Sequence, residues 1–259
     1  MEIENSEGSR QKRPWITLGG GRIVLECLGR SLDHAADEID VDRLGLEGPL
    51  ARELDGRSDL SGVTLGYLFL DGSHFKFHAG SASEPVLAAW GVTTDGRPVL
   101  VGLAPGESES HDAWAEFLRD LTSREMSPPL LVISNGAPGL IGACEVVLAK
   151  SLRQRCLIHR CRNILAKVPK SAQGEVKAAF WKLFDDVKSP PGQRAVAEVR
   201  ARIKVFAEHY QRLYPAAVKC LLSDVESLTA YLRFPSEHHK RIRHSNFISS
   251  APSVRRGVA

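Results

Sequence analysis

The sequence predicts an α/β fold, a mixed five-stranded sheet with flanking helices interrupted by an all-helical insertion. Three observations predict it. Short apolar runs of strand length, separated by turn signals, fill residues 65–103. Helical and strand patterns then alternate between residues 110 and 158. Beyond Cys161 only helical periodicity remains.

The elements follow in order. Residues 1–62 are glycine-rich and weakly periodic and read as an extension; Gly19-Gly20-Gly21 lacks the ending of a phosphate loop and reads as a turn. Gly66 to Asp71 is a strand, and His74 to His78 alternates around Phe75 and Phe77 as a hairpin partner would. Val86 to Val92 is a strand, Asp95-Gly96 a hairpin turn, and Val99 to Leu103 completes a meander. Ser110 to Arg124 puts Trp114, Phe117, Leu118 and Leu121 on one helical face. Leu130 to Ile133 is continuous and apolar, as a central strand is. A helix over Gly139 to Lys150 and a strand over Arg155 to Ile158 follow. The condensed order is three antiparallel strands, helix, strand, helix, strand. Further on, Val196, Val199, Ile203, Phe206, Tyr210 and Leu213 recur at spacings of three and four, and Val218, Leu221, Leu222, Val225, Leu228 and Tyr231 repeat the theme. Ser189-Pro190-Pro191-Gly192 breaks the helices.

Composition narrows the function classes. No apolar stretch approaches the ~18–20 residues of a membrane helix, and the acidic start, Met1 to Gly8, is not a secretory signal. Five cysteines, an odd number, fit reduced thiols in a cytoplasm. The net charge is only +3, but no acid occurs between Glu145 and Glu175, a window holding Lys150, Arg153, Arg155, Arg160, Arg162, Lys167 and Lys170. The tail after Glu237 is also free of acids and carries Arg241 and Arg243. Such blocks suit a polyphosphate, because each lysine or arginine that meets a phosphate releases counterions.

Asp71 ends the run Tyr67-Leu-Phe-Leu-Asp-Gly72, and Asn135 holds the matching place in Leu130-Leu-Val-Ile-Ser-Asn-Gly136. A carboxylate at the tip of a buried strand is one way to hold a hard cation such as magnesium. With the first and fourth strands adjacent, positions 71 and 135 come together. Cys156, His159 and Cys161 fall short of the four ligands of a structural zinc site, so packing is the better reading of Cys156, with His159 near DNA or near Asp71.

Five separated segments occur in an order that resembles the Mutator-type transposases of bacterial insertion sequences. They are the run around Asp71, Leu103-Ala-Pro-Gly-Glu-Ser-Glu-Ser110 with Trp114, and Ser134-Asn-Gly-Ala-Pro-Gly-Leu140. Arg153-Gln-Arg-Cys-Leu-Ile-His-Arg-Cys-Arg-Asn163 and Phe234-Pro-Ser-Glu-His-His-Lys-Arg-Ile-Arg-His-Ser-Asn246 complete the set. The resemblance covers about residues 59–248. It implies a ribonuclease-H-like core over residues 63–165, a helical insertion over 166–240 and the start of a final core segment over 241–259. It also implies DNA cleavage and strand transfer by an Asp-Asp-Glu triad with Mg2+. Asp71 matches the first aspartate and Cys156 and His159 match a Cys-x-x-His signature. Asn135 stands where the second aspartate is expected, and Ser249 where the glutamate is expected.

A coding string for the family-like Ile-Glu-Arg-Thr-Phe-Gly-Glu-Thr-Arg-Arg, read one base later, gives Ser-Ser-Ala-Pro-Ser-Val-Arg-Arg-Gly-Val, which is residues 249–258. The expectation is a single-base shift near the Ile248 codon and a truncated, catalytically impaired copy; reading the gene in the neighbouring frame tests it. The expected partners are double-stranded DNA at element ends, contacted by Arg153, Arg155, His159, Arg160, Arg162, Lys167, Arg241 and Arg243, and a second copy or an intact transposase. The expected location is the bacterial cytoplasm, at the nucleoid, with no membrane partner. The alternatives are a non-catalytic DNA-binding remnant that inhibits an intact transposase, and a different nuclease of the same fold.

Overall fold

The computed structural model describes residues 59–75, 84–105 and 108–245. Its centre is a five-stranded sheet in the order β3-β2-β1-β4-β5. β1 (Leu65–Phe75), β2 (Glu84–Thr93) and β3 (Pro98–Pro105) form an antiparallel meander. The Asp95-Gly96 turn joins the last two, with Gly96 at φ 85°, where a residue without Cβ is unstrained. β4 (Leu131–Ser134) and β5 (Leu152–Arg155) lie parallel to β1. The first and fourth strands are therefore neighbours, as expected.

Two strand boundaries differ from the sequence reading. No separate hairpin strand starts at His74. β1 runs on through Phe75 and stays paired with β2 as far as Phe75 opposite Glu84. The last strand ends at Arg155, and Leu157 already opens a helix. The short strand shows only one fully buried residue, Gln154, so its apolar signal is weak and the adjoining Leu157 and Ile158 drew the strand reading forward.

Helices cover both faces of the sheet. α1 (His111–Ser123) and α2 (Pro138–Val147) pack on one face. Trp114, Phe117, Leu118 and Leu121 of α1 meet Leu68, Leu70, Val132 and Leu140 there. Ser110 caps α1 by accepting a hydrogen bond from the Ala113 amide at 3.2 Å. The other face carries Phe69, Trp90, Leu131 and Ile133. It is covered by α3 (Leu157–Leu165), α4 (Gln173–Phe184), α5 (Gln193–Tyr210), α6 (Pro215–Leu222), α7 (Val225–Leu228), α8 (His239–Ile242) and short 3-10 turns. The helical region thus shares one continuous apolar core with the sheet. The α5 stripe from Val196 to Tyr210 is buried as its spacing predicts, while Leu213 and Leu222 are exposed.

Specific polar contacts tie the helical region to the sheet. The Gln154 side-chain amide donates to the backbone oxygens of Arg155 and Leu228, and its oxygen accepts from the Tyr231 amide at 2.9 Å. Tyr67 on β1 meets His238 Nδ1 at 2.7 Å and Phe234 edge-on. Among the described residues no helix is long and apolar enough to cross a membrane. The Gly19–Gly21 segment and Ser249 lie outside the described residues.

Candidate active site

Parallel pairing between β1 and β4 runs from Tyr67 opposite Leu131 to Leu70 opposite Ser134. The next residues in line are Asp71 and Asn135. Asp71 is not at the tip of its strand, because β1 continues four residues further along β2. It stands instead where the β4 partner ends, at the mouth between two parallel strands. That is where an α/β sheet opens a crevice for a ligand.

Each of these two residues is followed by a glycine with a charged side chain against it. A Cβ on Gly72 would lie 2.5 Å from Glu109 Cδ and 2.7 Å from both of its carboxylate oxygens. A Cβ on Gly136 would lie 2.5 Å from Arg155 Cζ and Nε, and Gly136 also sits at φ 84°. Neither position accepts a side chain without moving a charge next to the site. Asn135 Oδ1 accepts a hydrogen bond from the Ala137 amide at 2.9 Å, which fixes the turn into α2.

The electrostatics are those of a partly dehydrated acid site. Burial pushes the Asp71 carboxyl up to about 6; the neighbouring His159 opposes the rise and Glu109 adds to it. His159, on the first turn of α3, is drawn above its usual value by the Cys156 thiol and by Asp71, against its own burial. The contact with Cys156 is not a well-aligned hydrogen bond, since His159 Nδ1 is buried without such a partner. Burial pushes the Cys156 thiol up, but contacts from His159 and Ser245 bring it net below its ordinary value. The Ser245 amide donates to Cys156 Sγ at 3.3 Å and the Leu157 amide donates to the Arg243 carbonyl at 3.0 Å. The chain therefore returns to the foot of α3, beside the candidate site, at residues 243–245.

The donors present suit a hard cation in kind. They are carboxylate and amide oxygens, and Gly72 leaves a cradle that holds a carboxylate beside Asp71. They do not suit two dications: among the described residues no group of three or more His, Cys, Asp or Glu side chains comes together to hold a metal ion. One Mg2+ bound through one or two carboxylates, with water and phosphate oxygens completing its shell, fits this donor set.

The basic residues divide into two groups. Arg162, Lys167 and Arg241 are exposed. Arg153, Arg155 and Arg160 converge on Asp224, between α6 and α7. Arg153 makes a bidentate pair with it, 3.1 Å on each arm, and Arg155 and Arg160 stand at 3.8 Å. Arg160 is buried and also donates to the Cys220 carbonyl and to Ser223 Oγ. Arg243 pairs with Asp185 at 3.0 Å and lies over the Trp181 ring. The expectation that these four arginines face DNA phosphate is corrected by this geometry: their charges are committed to internal partners that lie far away in sequence. Sequence reasoning missed Asp224 for that reason. It weighed Glu109 only as a loop acid, although the glycine after Asp71 is the local trace of its approach.

The model of the family "Transposase, Mutator family" matches residues 56–258. The chain belongs to the Mutator family of transposases. The transposase for insertion sequence element IS6120 of Mycolicibacterium smegmatis is 34% identical over 195 residues, 75% of this chain and 58% of its own. The transposase for IST2 of Acidithiobacillus ferrooxidans is 34% identical over 185 residues, 70% of this chain and 60% of its own. The transposase for ISRM5 of Rhizobium meliloti is 27% identical over 184 residues, 70% of this chain and 44% of its own. This chain thus spans less than two thirds of the length of these Mutator-family relatives. Among solved structures, a chain of a simian T-cell lymphotropic virus intasome complex with PP2A regulatory subunit B56 gamma overlaps 53% of this chain and 48% of its own, at 11% identity and a TM-score of 0.28, too low to bear on fold or function.

Proposed function

We propose that this chain is a ribonuclease-H-like transposase core that acts on double-stranded DNA at the ends of an insertion sequence and is impaired in strand cleavage and transfer. The observation that carries the reading is the register of the central strands, which puts Asp71 in line with Asn135 at the end of the β1–β4 pairing. Family membership supplies the substrate class. The strand order, with an antiparallel meander and two further strands parallel to β1, supports the ribonuclease-H-like assignment. Helices after β5 support a helical insertion preceding a last core segment.

The roles of the residues follow from their chemistry. A divalent cation bound here supplies Lewis-acid polarisation of a phosphate and of the attacking water or 3′-hydroxyl. Asp71 brings the full negative charge that holds such an ion, provided its proton has left. Asn135 brings an amide oxygen of no net charge, already used by the Ala137 amide. His159, electrostatically coupled to Asp71, helps keep that carboxyl ionised. Ser249 follows Ser245 by four residues, and four residues of chain span at most ~14 Å, so position 249 is within reach of the site; a serine there brings no charge. Arg162, Lys167 and Arg241 are the exposed cations that meet the DNA backbone, in a nucleoid-associated cytoplasmic protein with a second copy or an intact transposase as its protein partner.

The test is a two-part assay on the purified chain with supercoiled and end-sequence DNA. The expected result is salt-sensitive binding without magnesium-dependent nicking. Nicking that disappears in Asp71→Asn would show that the chain is not impaired. Failure to bind duplex DNA at low salt would remove the substrate assignment.

A further inference from the structure

We propose that Glu109 is the second carboxylate of the divalent-cation site beside Asp71. This inference rests on the reading above, that the ends of the paired β1 and β4 strands face such an ion. Three features of the packing hold Glu109 in place. Its carboxylate fills the space that Gly72 leaves by having no Cβ, with both oxygens 2.7 Å from where that atom would be. The backbone around it lies directly on the first turn of α2: a Cβ on Gly139 would meet His111 N at 2.7 Å, Ser110 C at 2.9 Å and Glu109 O at 3.0 Å. The His111 ring lies in the same way against Gly142, 2.9 Å from its would-be Cβ. Ser110, the next residue, is itself fixed as the cap of α1. Glu109 is therefore seated by three glycines on two elements, both of which lead to the candidate site.

This seating has an electrostatic consequence. It holds a second acid beside the half-buried Asp71, and each disfavours ionisation of the other. A dication between or beside the two carboxylates offsets that repulsion, whereas an empty pair retains it. Magnesium commonly takes one or two carboxylates and leaves its other positions to water and phosphate oxygens. With Asn135 uncharged, Asp71 and Glu109 together supply that minimum. The β1–β4 register alone does not reveal this acid, because it comes from the loop before α1 and reaches β1 from the α1–α2 side.

The experiment is Mn2+ titration of the full chain, read by the electron paramagnetic resonance of free Mn2+ and independent of any DNA chemistry. The variants are Glu109→Gln, Gly72→Ala, Asp71→Asn, Asn135→Asp and, as an exposed control on α2, Glu145→Gln. The expected result is one site that Glu109→Gln and Asp71→Asn each weaken by about tenfold or more. Gly72→Ala weakens it too, since its methyl group displaces the Glu109 carboxylate, and Glu145→Gln leaves it unchanged. Gly72 is not among the positive-φ residues, so alanine there is free of backbone strain, and this variant decides the matter if Glu109→Gln melts early. Wild-type affinity in both Glu109→Gln and Gly72→Ala, with loss in Asp71→Asn, overturns the role of Glu109 and leaves the Asp71 site standing. Absence of Mn2+ binding in both the wild type and Asn135→Asp overturns the site and Glu109 together.

Discussion

Asp71 is held in a place that suits a proton or a metal ion better than a bare charge. Its folded-state pKa of about 6 lies above the ordinary 3.8, so the native state holds the proton more tightly than the unfolded chain does. Stability from this group is complete below pH 4 and is lost as pH rises through 6. Without metal, Asp71→Asn should therefore melt higher than wild type above pH 6, by up to about 3 kcal/mol at about 1.4 kcal/mol per unit. The difference should shrink to nothing near pH 4. Calorimetry in a chelating buffer across that range measures it, and a pH-independent difference would show that Asp71 is not dehydrated. The identity of Asp71 and Asn135 as paired positions was legible in the sequence, because two apolar runs end in the same way. The part that was not legible is the role of the glycines. Gly72 and Gly136 read as turn residues, yet Gly72 lies inside β1, and both are occupied by charges that arrive from elsewhere in the chain.

The elements around β5 show how charge patterning misleads when only sequence neighbours are counted. A window without acids from 146 to 174 reads as a surface for phosphate. In the fold, Asp224 comes from beyond α6 and gathers Arg153, Arg155 and Arg160 around one carboxylate. Three cations around one anion leave an excess of positive charge that tolerates no further loss. Asp224→Asn should destabilise the chain by about 3 kcal/mol, because it leaves partly buried guanidinium groups without a counter-charge. Denaturant unfolding measures that loss, and a change below half a kcal/mol would mean that the cluster is solvated. β5 itself was placed late for a related reason. Four residues with one buried side chain give little periodicity, and the strand is defined by pairing with β4 and by the Gln154 bridge to the turn at Tyr231. The long helices were easier, since α1 and α5 bury whole stripes and α1 carries a recognisable serine cap.

The molecule as a whole is a sheet between two helical layers, and most of that plan was readable. The hairpin turn, the meander and the alternation of helix and strand each leave local signals, and adjacency of the first and fourth strands follows from the pattern they form. How closely the later helices join the sheet was not readable. Their stripes announce a core without saying which face they share, and only the structure shows Phe69 and Ile133 in one cluster with Val199 and Tyr231. With the inner arginines committed, DNA binding falls to the exposed cations. Replacing Arg162 and Lys167 together by glutamine should lower the slope of log affinity against log salt by up to about two, about 0.9 for each phosphate no longer neutralised. An unchanged slope would place the DNA on another face. The central claim is that the ends of β1 and β4 form a divalent-cation site, and its most direct test is anomalous diffraction from crystals soaked in Mn2+. The account predicts a peak ~2.0–2.3 Å from an Asp71 carboxylate oxygen, on the side facing Asn135; a peak elsewhere, with none beside Asp71, would contradict it.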